Sequence, residues 1–290
     1  MLLVYSIGIP YFVLSATGPL VQRWFTYRNA DSVPYRLYSL SNIGSLLALV
    51  SYPFLIEPML AMQSQTLVWS ITYGVFVIGF LLLCWSMYRS SAAVIEQSNQ
   101  QKSTTSLATI LLWLGLSATG VILLVSTTSA MTQNIPPMPF LWILPLCLYL
   151  VSFIICFNKA SWYVRWYWFG LFIVSSIAAI FMFFIGSKFD IVSQIGMYSV
   201  ILLSACMICH GELAKLKPQA DKLTLFYLYL SLGGALGSLF VSFAAPQLFT
   251  LFYEFPLAII GVYLLFAMCL WHKPVNIKTT HSSVSLVKYY

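Results

Sequence analysis

Long, nearly uncharged apolar stretches dominate this 290-residue chain and decide what it can fold into. Hydrophobic residues make up 60% of the sequence and charged residues 7%, whereas a soluble domain has about 25% charged residues. A helix needs about 20 mostly apolar residues to cross a bilayer, and continuous runs of this kind predict helices rather than strands. We count nine such stretches, at 1–21, 35–57, 66–88, 107–128, 138–158, 164–185, 190–210, 223–244 and 247–271.

The basic residues are distributed unevenly between the connections. Thirteen of the 14 Lys and Arg residues fall in or beside the first, third, fifth and seventh connections and the C-terminal tail, and Lys188 alone lies on the other side. Basic residues stay cytoplasmic, so we predict an all-α integral membrane protein with Met1 outside. Its membrane domain covers 1–272 and a short cytoplasmic tail covers 273–290. The net charge of +7 follows from this topology and implies contact with lipid headgroups, not with nucleic acid.

The chain begins abruptly, because Met1 leads directly into an apolar stretch without a polar or basic flank. A secretory signal normally has a positively charged beginning. We therefore expect further helices upstream, removed by truncation or encoded separately. An odd number of helices with an outside N-terminus is the alternative interpretation.

Two pairs of stretches that lie six helices apart resemble each other. An offset of 190 superimposes Ser41 on Ser231 and Gly44 on Gly234. Both pairs have the same orientation, as in the parallel six-helix halves of major-facilitator transporters. The sequence thus predicts a major-facilitator-like architecture, in which nine visible helices are twelve minus about three.

Small residues form a stripe on each of the two repeated helices. Small side chains let membrane helices approach closely, so we interpret the stripes as packing surfaces. A sliding surface between two halves needs the same residues and is the alternative. The residues are Ser41 and Gly44 on the second helix, and Gly233, Gly234 and Gly237 on the eighth.

Several segments carry a family resemblance. They are 14–25 (LSATGPLVQRWF), 38–49 (YSLSNIGSLLAL), 52–58 (YPFLIEP), 139–146 (PFLWILPL), 209–218 (CHGELAKLKP) and 223–227 (LTLFY). Together they resemble the membrane region of bacterial fused major-facilitator/spermidine-synthase-like proteins. The resemblance implies a multi-pass domain of the bacterial inner membrane, often followed by a cytoplasmic synthase-like domain.

The chain departs from that family at its end. It stops at Tyr290 without a Gly-rich turn after a strand, so it has no room for an α/β synthase domain. We therefore expect no enzyme activity and no cofactor in this chain.

Polar residues gather at the predicted cytoplasmic ends of the first and seventh helices. Charge pairs between these two groups would latch two halves of a transporter in one state. Solvated turns with basic residues at helix ends are the alternative. The residues are Gln22, Arg23 and Asp31 in one group, and His210, Glu212 and Lys215 in the other.

A second set of candidates lies toward the outer side. Glu57 and Glu254 are carboxylates near hydrocarbon, where a charge is costly and often serves proton coupling. Reaching interfacial water is the alternative for both. Gln133, Asn134 and Trp142 either line a substrate cavity or belong to an ordinary outer loop.

One motif points to a different chemistry. Cys206, Cys209 and His210 match the C-x-x-C-H pattern of covalent haem attachment, but the predicted topology places them at the cytoplasmic end of a helix. The sequence contains no Walker loop, HExxH motif or paired zinc-binding cysteine pattern, so we predict no metal site and no ATP-driven motor.

Besides covalent haem binding, the sequence leaves two hypotheses about the function of the protein. The first is a transporter for a small polar or cationic metabolite, with polyamines suggested only by the resemblance. The second is a non-catalytic membrane anchor for a separately encoded, cytoplasmic spermidine-synthase-like protein.

Overall fold

The computed structural model describes residues 8–28, 35–90, 105–134, 140–185, 189–218, 222–250 and 252–272. Within these ranges the chain is helical and contains no strand. The main helices are α1 (Ile9–Arg28), α2 (Tyr35–Ser51, extended to Met59), α3 (Met62–Ser90), α4 (Leu107–Asn134), α5 (Phe140–Asn158), α6 (Arg165–Ile185), α7 (Ile191–Lys215), α8 (Leu223–Leu239, extended to Leu248) and α9 (Glu254–Trp271).

Seven of the described helices are long and apolar enough to cross a membrane, namely α2, α3, α4, α5, α7, α8 and α9. In α6 the apolar segment is shorter, Arg165–Phe181. Helix α1, which contains Pro19, is not among the helices that are long and apolar enough to cross a membrane. The prediction of an all-helical fold with many apolar helices is confirmed. The count of nine spans and the repeat of six-helix halves stay predictions, and the tail over 273–290 lies outside the described residues.

Helix α7 begins at a side-chain cap. The Asp190 carboxylate accepts hydrogen bonds from the backbone N–H of Ser193 at 3.1 Å and from its hydroxyl at 2.6 Å. These bonds stabilise the charged carboxylate and lower the pKa of Asp190. The cap satisfies one of the N–H groups that the first turn of a helix leaves without a partner.

Helices α4 and α8 pack with their backbones in contact. A Cβ atom built on Gly233 would lie 2.6 Å from the carbonyl oxygen of Leu114, and one on Gly237 would lie 2.5 Å from that of Ala118. These two positions accept no side chain without a shift of the helices. Glycine thus sets the α4–α8 distance, as small residues do between membrane helices.

Helix α2 packs against α5 in a different way. The contact uses aromatic rings, with Tyr38 5.5 Å from Phe157 and 5.8 Å from Phe153 between ring centroids. The Ser39 hydroxyl also donates to the carbonyl oxygen of Ile154 at 3.4 Å. Gly44 has no heavy atom within 4 Å of the Cβ position, so it serves no close approach in the described part of the fold.

Helix α3 lies at the edge of the bundle. None of the residues in its most apolar segment is buried. A stacked ring pair, Trp24 and Phe80 at 6.1 Å, connects it to α1. Its other large side chains, such as Trp69 at 66% exposure, face outward, where a bilayer supplies the apolar surroundings.

Helices α2 and α8 each contain a π-helical segment near their C-terminal ends. The segments are Tyr52–Ile56 and Phe240–Ala244, and each is followed by a short α-helical piece. In α2 the N–H of Glu57 donates to the carbonyl oxygen of Tyr52, and in α8 the N–H of Ala245 donates to that of Phe240.

The predicted orientation is testable by reporter fusions. A fluorescent protein that matures only in the cytoplasm is expected to glow when fused after Tyr290 and to stay dark when inserted beside Lys188. The physical basis is the confinement of basic residues to one side. The reverse pattern would contradict the topology.

Substitution of a closely packed glycine, Gly237, should affect the stability of the protein differently from substitution of Gly44, which has open space around it. We expect Gly237→Ala to destabilise the protein by about 1–3 kcal/mol, because the new methyl group collides with backbone atoms of α4. Gly44→Ala is the matched control and should be neutral or slightly stabilising, since the space is open and Ala favours helix. Thermal unfolding in detergent measures both, and equal effects would contradict the packing.

Candidate functional site

A cavity of about 350 Å³ lies between α1, α2, α4, α5 and α8. At about 30 Å³ per molecule, it holds on the order of ten waters. Its lining combines hydroxyl and amide groups with aromatic rings, and it contains no charged side chain among the described residues. The lining residues are Ser15, Gly18, Pro19, Gln22, Tyr38, Ser41, Asn42, Ser117, Tyr149, Phe153, Tyr227, Leu230, Ser231 and Gly234.

The cavity lies toward one end of the bundle. On α2 and α8 it uses residues close to the helix start, such as Ser41 and Ser231, and on α5 it uses Phe153 close to the helix end. These are the ends next to the basic connections. With the predicted orientation, the cavity therefore lies in the cytoplasmic half of the membrane.

Aromatic rings connect three of the five helices around the cavity. Tyr38 of α2 lies 4.8 Å from Tyr227 of α8 and 5.8 Å from Phe153 of α5. Phe153 in turn lies 5.2 Å from Tyr149. All four rings line the cavity, so a bound molecule meets flat apolar faces beside the hydroxyl and amide groups.

Part of the polar lining is occupied by bonds within the protein. Ser117 donates to the carbonyl oxygen of Leu230 at 2.7 Å, which joins α4 to α8. The Asn42 amide donates to the carbonyl oxygen of Tyr38 at 2.9 Å, within its own helix. These bonds hold the two side chains in fixed positions at the cavity wall.

Behind the aromatic wall lies His210, which is fully buried. Its ring stacks on Phe153 with centroids 3.6 Å apart, and its Nδ1 lies 2.8 Å from the Ser152 hydroxyl. That hydroxyl donates its single proton to the carbonyl oxygen of Tyr149 at 2.7 Å. We infer that, in the neutral ring, Nδ1 carries the proton and donates to Ser152. The other nitrogen, Nε2, has no hydrogen-bond partner among the described residues.

A buried carboxylate with several donors lies at the same end of the bundle. Glu212, on the last turns of α7, is 1% exposed. Its Oε1 accepts from the Tyr163 hydroxyl at 2.8 Å and from Arg165 Nε at 2.7 Å, while Arg165 Nη2 donates to Oε2. The Lys215 ammonium is 3.7 Å from Oε1. This fork-to-fork pairing is the strong geometry for arginine and a carboxylate.

Tyr163 is held in this cluster by its ring as well as its hydroxyl. Burial and the neighbouring Glu212 carboxylate raise the pKa of Tyr163, so it remains a proton donor. A Cβ atom on Gly211 would lie 2.4 Å from the ring, so only glycine leaves room for it. The Lys215 ammonium lies 4.6 Å above the same ring. The cluster ties the α5–α6 connection to the end of α7.

The structure describes only part of the two predicted cytoplasmic groups. Gln22 is 4% exposed and lines the cavity, whereas Glu212 pairs with Arg165 and Tyr163, which the sequence did not single out as partners. Asp31 lies outside the described residues, and the Arg23 side chain is likewise not described. The predicted latch between these groups stays a prediction.

The outer candidates lie apart from the cavity. Glu57 is exposed at the end of α2, and Glu254 is 7% exposed in the first turn of α9, where the helix dipole favours a carboxylate. Trp142 is 62% exposed. Gln133 and Asn134 end α4, but their side chains are not described.

The C-x-x-C-H motif lies inside the packed core. Cys206, Cys209 and His210 are each 0% exposed, and neighbouring rings and the Ser152 hydroxyl surround the histidine. The three side chains of the motif therefore have no exposed surface at which a porphyrin could be attached. The geometry therefore does not support the haem interpretation.

Removing the charge of Arg165 should reduce the stability of the protein more than removing the charge of Glu212. Arg165→Gln leaves the buried carboxylate with the Tyr163 hydroxyl and the Lys215 ammonium at 3.7 Å, and we expect a loss of about 2–4 kcal/mol, near the usual range for broken buried pairs. Glu212→Gln should cost only about 1–2 kcal/mol, because the partly exposed Arg165 can turn to water. Thermal unfolding ranks the variants, and the opposite order would contradict the cluster geometry.

Comparison of the chain with protein-family models, with curated proteins and with solved structures finds no significant match. The proposed function therefore rests on the geometry of the cavity and of the helices around it.

Proposed function

We propose that this protein is a multi-pass membrane transporter that carries a small, polar, uncharged solute through the cavity between α2 and α8. The many apolar helices are compatible with a multi-pass membrane protein. The observation that carries the proposal is the cavity itself, whose serine, asparagine and glutamine side chains lie within apolar helices.

The position of these polar groups favours a binding role. Hydrogen-bonding groups in a bilayer have no water to satisfy them, so they usually face a partner helix or a water-filled cavity. Ser41 and Ser231 line the same cavity from two different helices. These are the residues that the sequence repeat superimposes, and this correspondence supports two related halves around one central site.

The lining favours an uncharged solute over a polyamine. Moving an ammonium group out of water is expensive unless a carboxylate compensates it. The described lining contains aromatic rings but no carboxylate. A ring contributes about 0.5–2 kcal/mol to cation binding, less than the cost of desolvation. Hydroxyl and amide groups next to flat rings fit instead a neutral molecule with hydrogen-bonding edges and apolar faces.

Binding to purified protein in lipid nanodiscs tests the proposal. We would titrate a panel of sugars, polyols and neutral heterocyclic compounds, with spermidine as the charged comparison. One neutral class should bind saturably. Ser41→Leu and Ser231→Leu should each weaken that binding at least tenfold, about 1.4 kcal/mol, because the new side chain fills the cavity.

The matched control is Ser70→Leu, the same change on the exposed surface of α3, where the hydroxyl bonds only within its own helix. It should leave binding unchanged. Binding of spermidine alone, or an equal loss in the Ser70 variant, would contradict the proposed site.

A further inference from the structure

Two of the helices that line the cavity, α2 and α8, share an unusual local structure. In α2 the π-helical turn Tyr52–Ile56 precedes Pro58, and in α8 the turn Phe240–Ala244 precedes Pro246. Single π-helical turns are rare inside α-helices and are frequent at functional sites.

The two turns occupy corresponding places in the chain. Tyr52 and Phe240 are 188 residues apart, as are Pro58 and Pro246, which is within two residues of the offset that relates Ser41 to Ser231. In both helices the first N–H after the π turn donates five residues back. Both short pieces then end in an extended residue, Leu60 and Phe249.

This local structure weakens the helix at one point. A π turn inserts one extra residue, which breaks the regular ladder of hydrogen bonds to the residue four positions back. The proline that follows has no N–H group and cannot restore a bond. Fewer backbone bonds therefore cross each segment than cross an ordinary helix, and such points are where helices bend.

The weak points lie beyond the cavity. Ser41 and Ser231 are near the start of α2 and α8, whereas the π turns are near their C-terminal ends. Bending at these turns moves the end pieces and leaves the cavity walls in place. The α2 turn has no buried residue, and the α8 turn buries only Val241 in its own length, so neither is locked by dense packing.

We propose that Tyr52–Pro58 and Phe240–Pro246 are paired hinges that open and close the outer side of the cavity. The inference rests on the proposed transport function, because a cavity near the cytoplasmic end of the helices needs a second opening on the other side. The hinges supply that opening in both repeated helices.

Labelling from each side of the membrane tests the hinges without knowledge of the solute. A single cysteine replaces Ser41 in a protein whose six native cysteines are changed to serine or alanine. Membrane-impermeant maleimide is added to right-side-out or inside-out vesicles. The test variants delete Phe54 or Ser242, which converts a five-residue π turn into an ordinary α turn. Phe54→Ala and Ser242→Ala are the matched controls, because they change the same residue and keep the turn length.

The hinge account predicts labelling from both sides in the parent protein and in the alanine controls. Each deletion should lower the outer labelling rate at least tenfold and leave the cytoplasmic rate within twofold, which also shows that the variant is folded. Equal outer rates in the parent and in the deletion variants would overturn the hinges and leave transport intact. Absence of outer labelling in the parent would overturn the proposed transport function together with the hinges.

Discussion

The structure depends on one constraint, which is that hydrocarbon offers polar groups no hydrogen-bond partner. Helices satisfy the backbone, and polar side chains must then find partners inside the bundle. Glu212 does so with Tyr163, Arg165 and Lys215. At the cavity wall, Ser117 and Asn42 bond carbonyl oxygens of the protein in the same way, and a bound solute or water can add further hydrogen bonds there. The same constraint makes the Nε2 atom of His210 notable, because it has no hydrogen-bond partner among the described residues and lies one ring away from that cavity.

Two kinds of contact hold the helices around the cavity. Helices α4 and α8 touch through backbone atoms at Gly233 and Gly237, which fixes their distance closely. Helix α2 packs along α5 through the ring of Tyr38 and the Ser39 hydroxyl, and it meets α8 at the ring pair of Tyr38 and Tyr227. Glycine contacts between backbones allow little adjustment, whereas aromatic rings pack favourably in several relative orientations. A close backbone contact between α4 and α8, beside a ring contact between α2 and α8, is compatible with the relative movement of helices that the proposed transport needs.

The sequence predicts the helical membrane fold well, because long apolar stretches permit little else. It predicts the site less well, because rotation of each helix about its axis depends on its neighbours. Ser41, Gly233 and Gly237 all belong to small-residue stripes, yet the structure places Ser41 at the cavity and the two glycines against α4. Small residues can line a cavity or let two helices pack closely, so no local sequence pattern distinguishes a lining residue from a packing residue.

The partner of Glu212 illustrates the same limit. Sequence reasoning places Glu212 and Arg165 at the same side of the membrane, but it paired the glutamate region with the first connection instead. The tertiary packing determines the partner of Glu212, because α6 and α7 are neighbours and Gly211 leaves room for the Tyr163 ring. A single carboxylate near the end of a long apolar helix was a usable signal, since only a nearby arginine or lysine can compensate it when buried.

The central claim is that α2 and α8 meet around one cavity, and a cross-linking measurement tests it most directly. Cysteines replace Tyr38 and Tyr227, whose rings are 4.8 Å apart, in a background without native cysteines, and a short bismaleimide is added to membranes. The pair Leu40 and Tyr227 is the control, because Leu40 is 62% exposed on another face of α2. The account predicts rapid intramolecular cross-linking of the first pair and little of the second. Failure of the first pair, or equal yields for both, would contradict it.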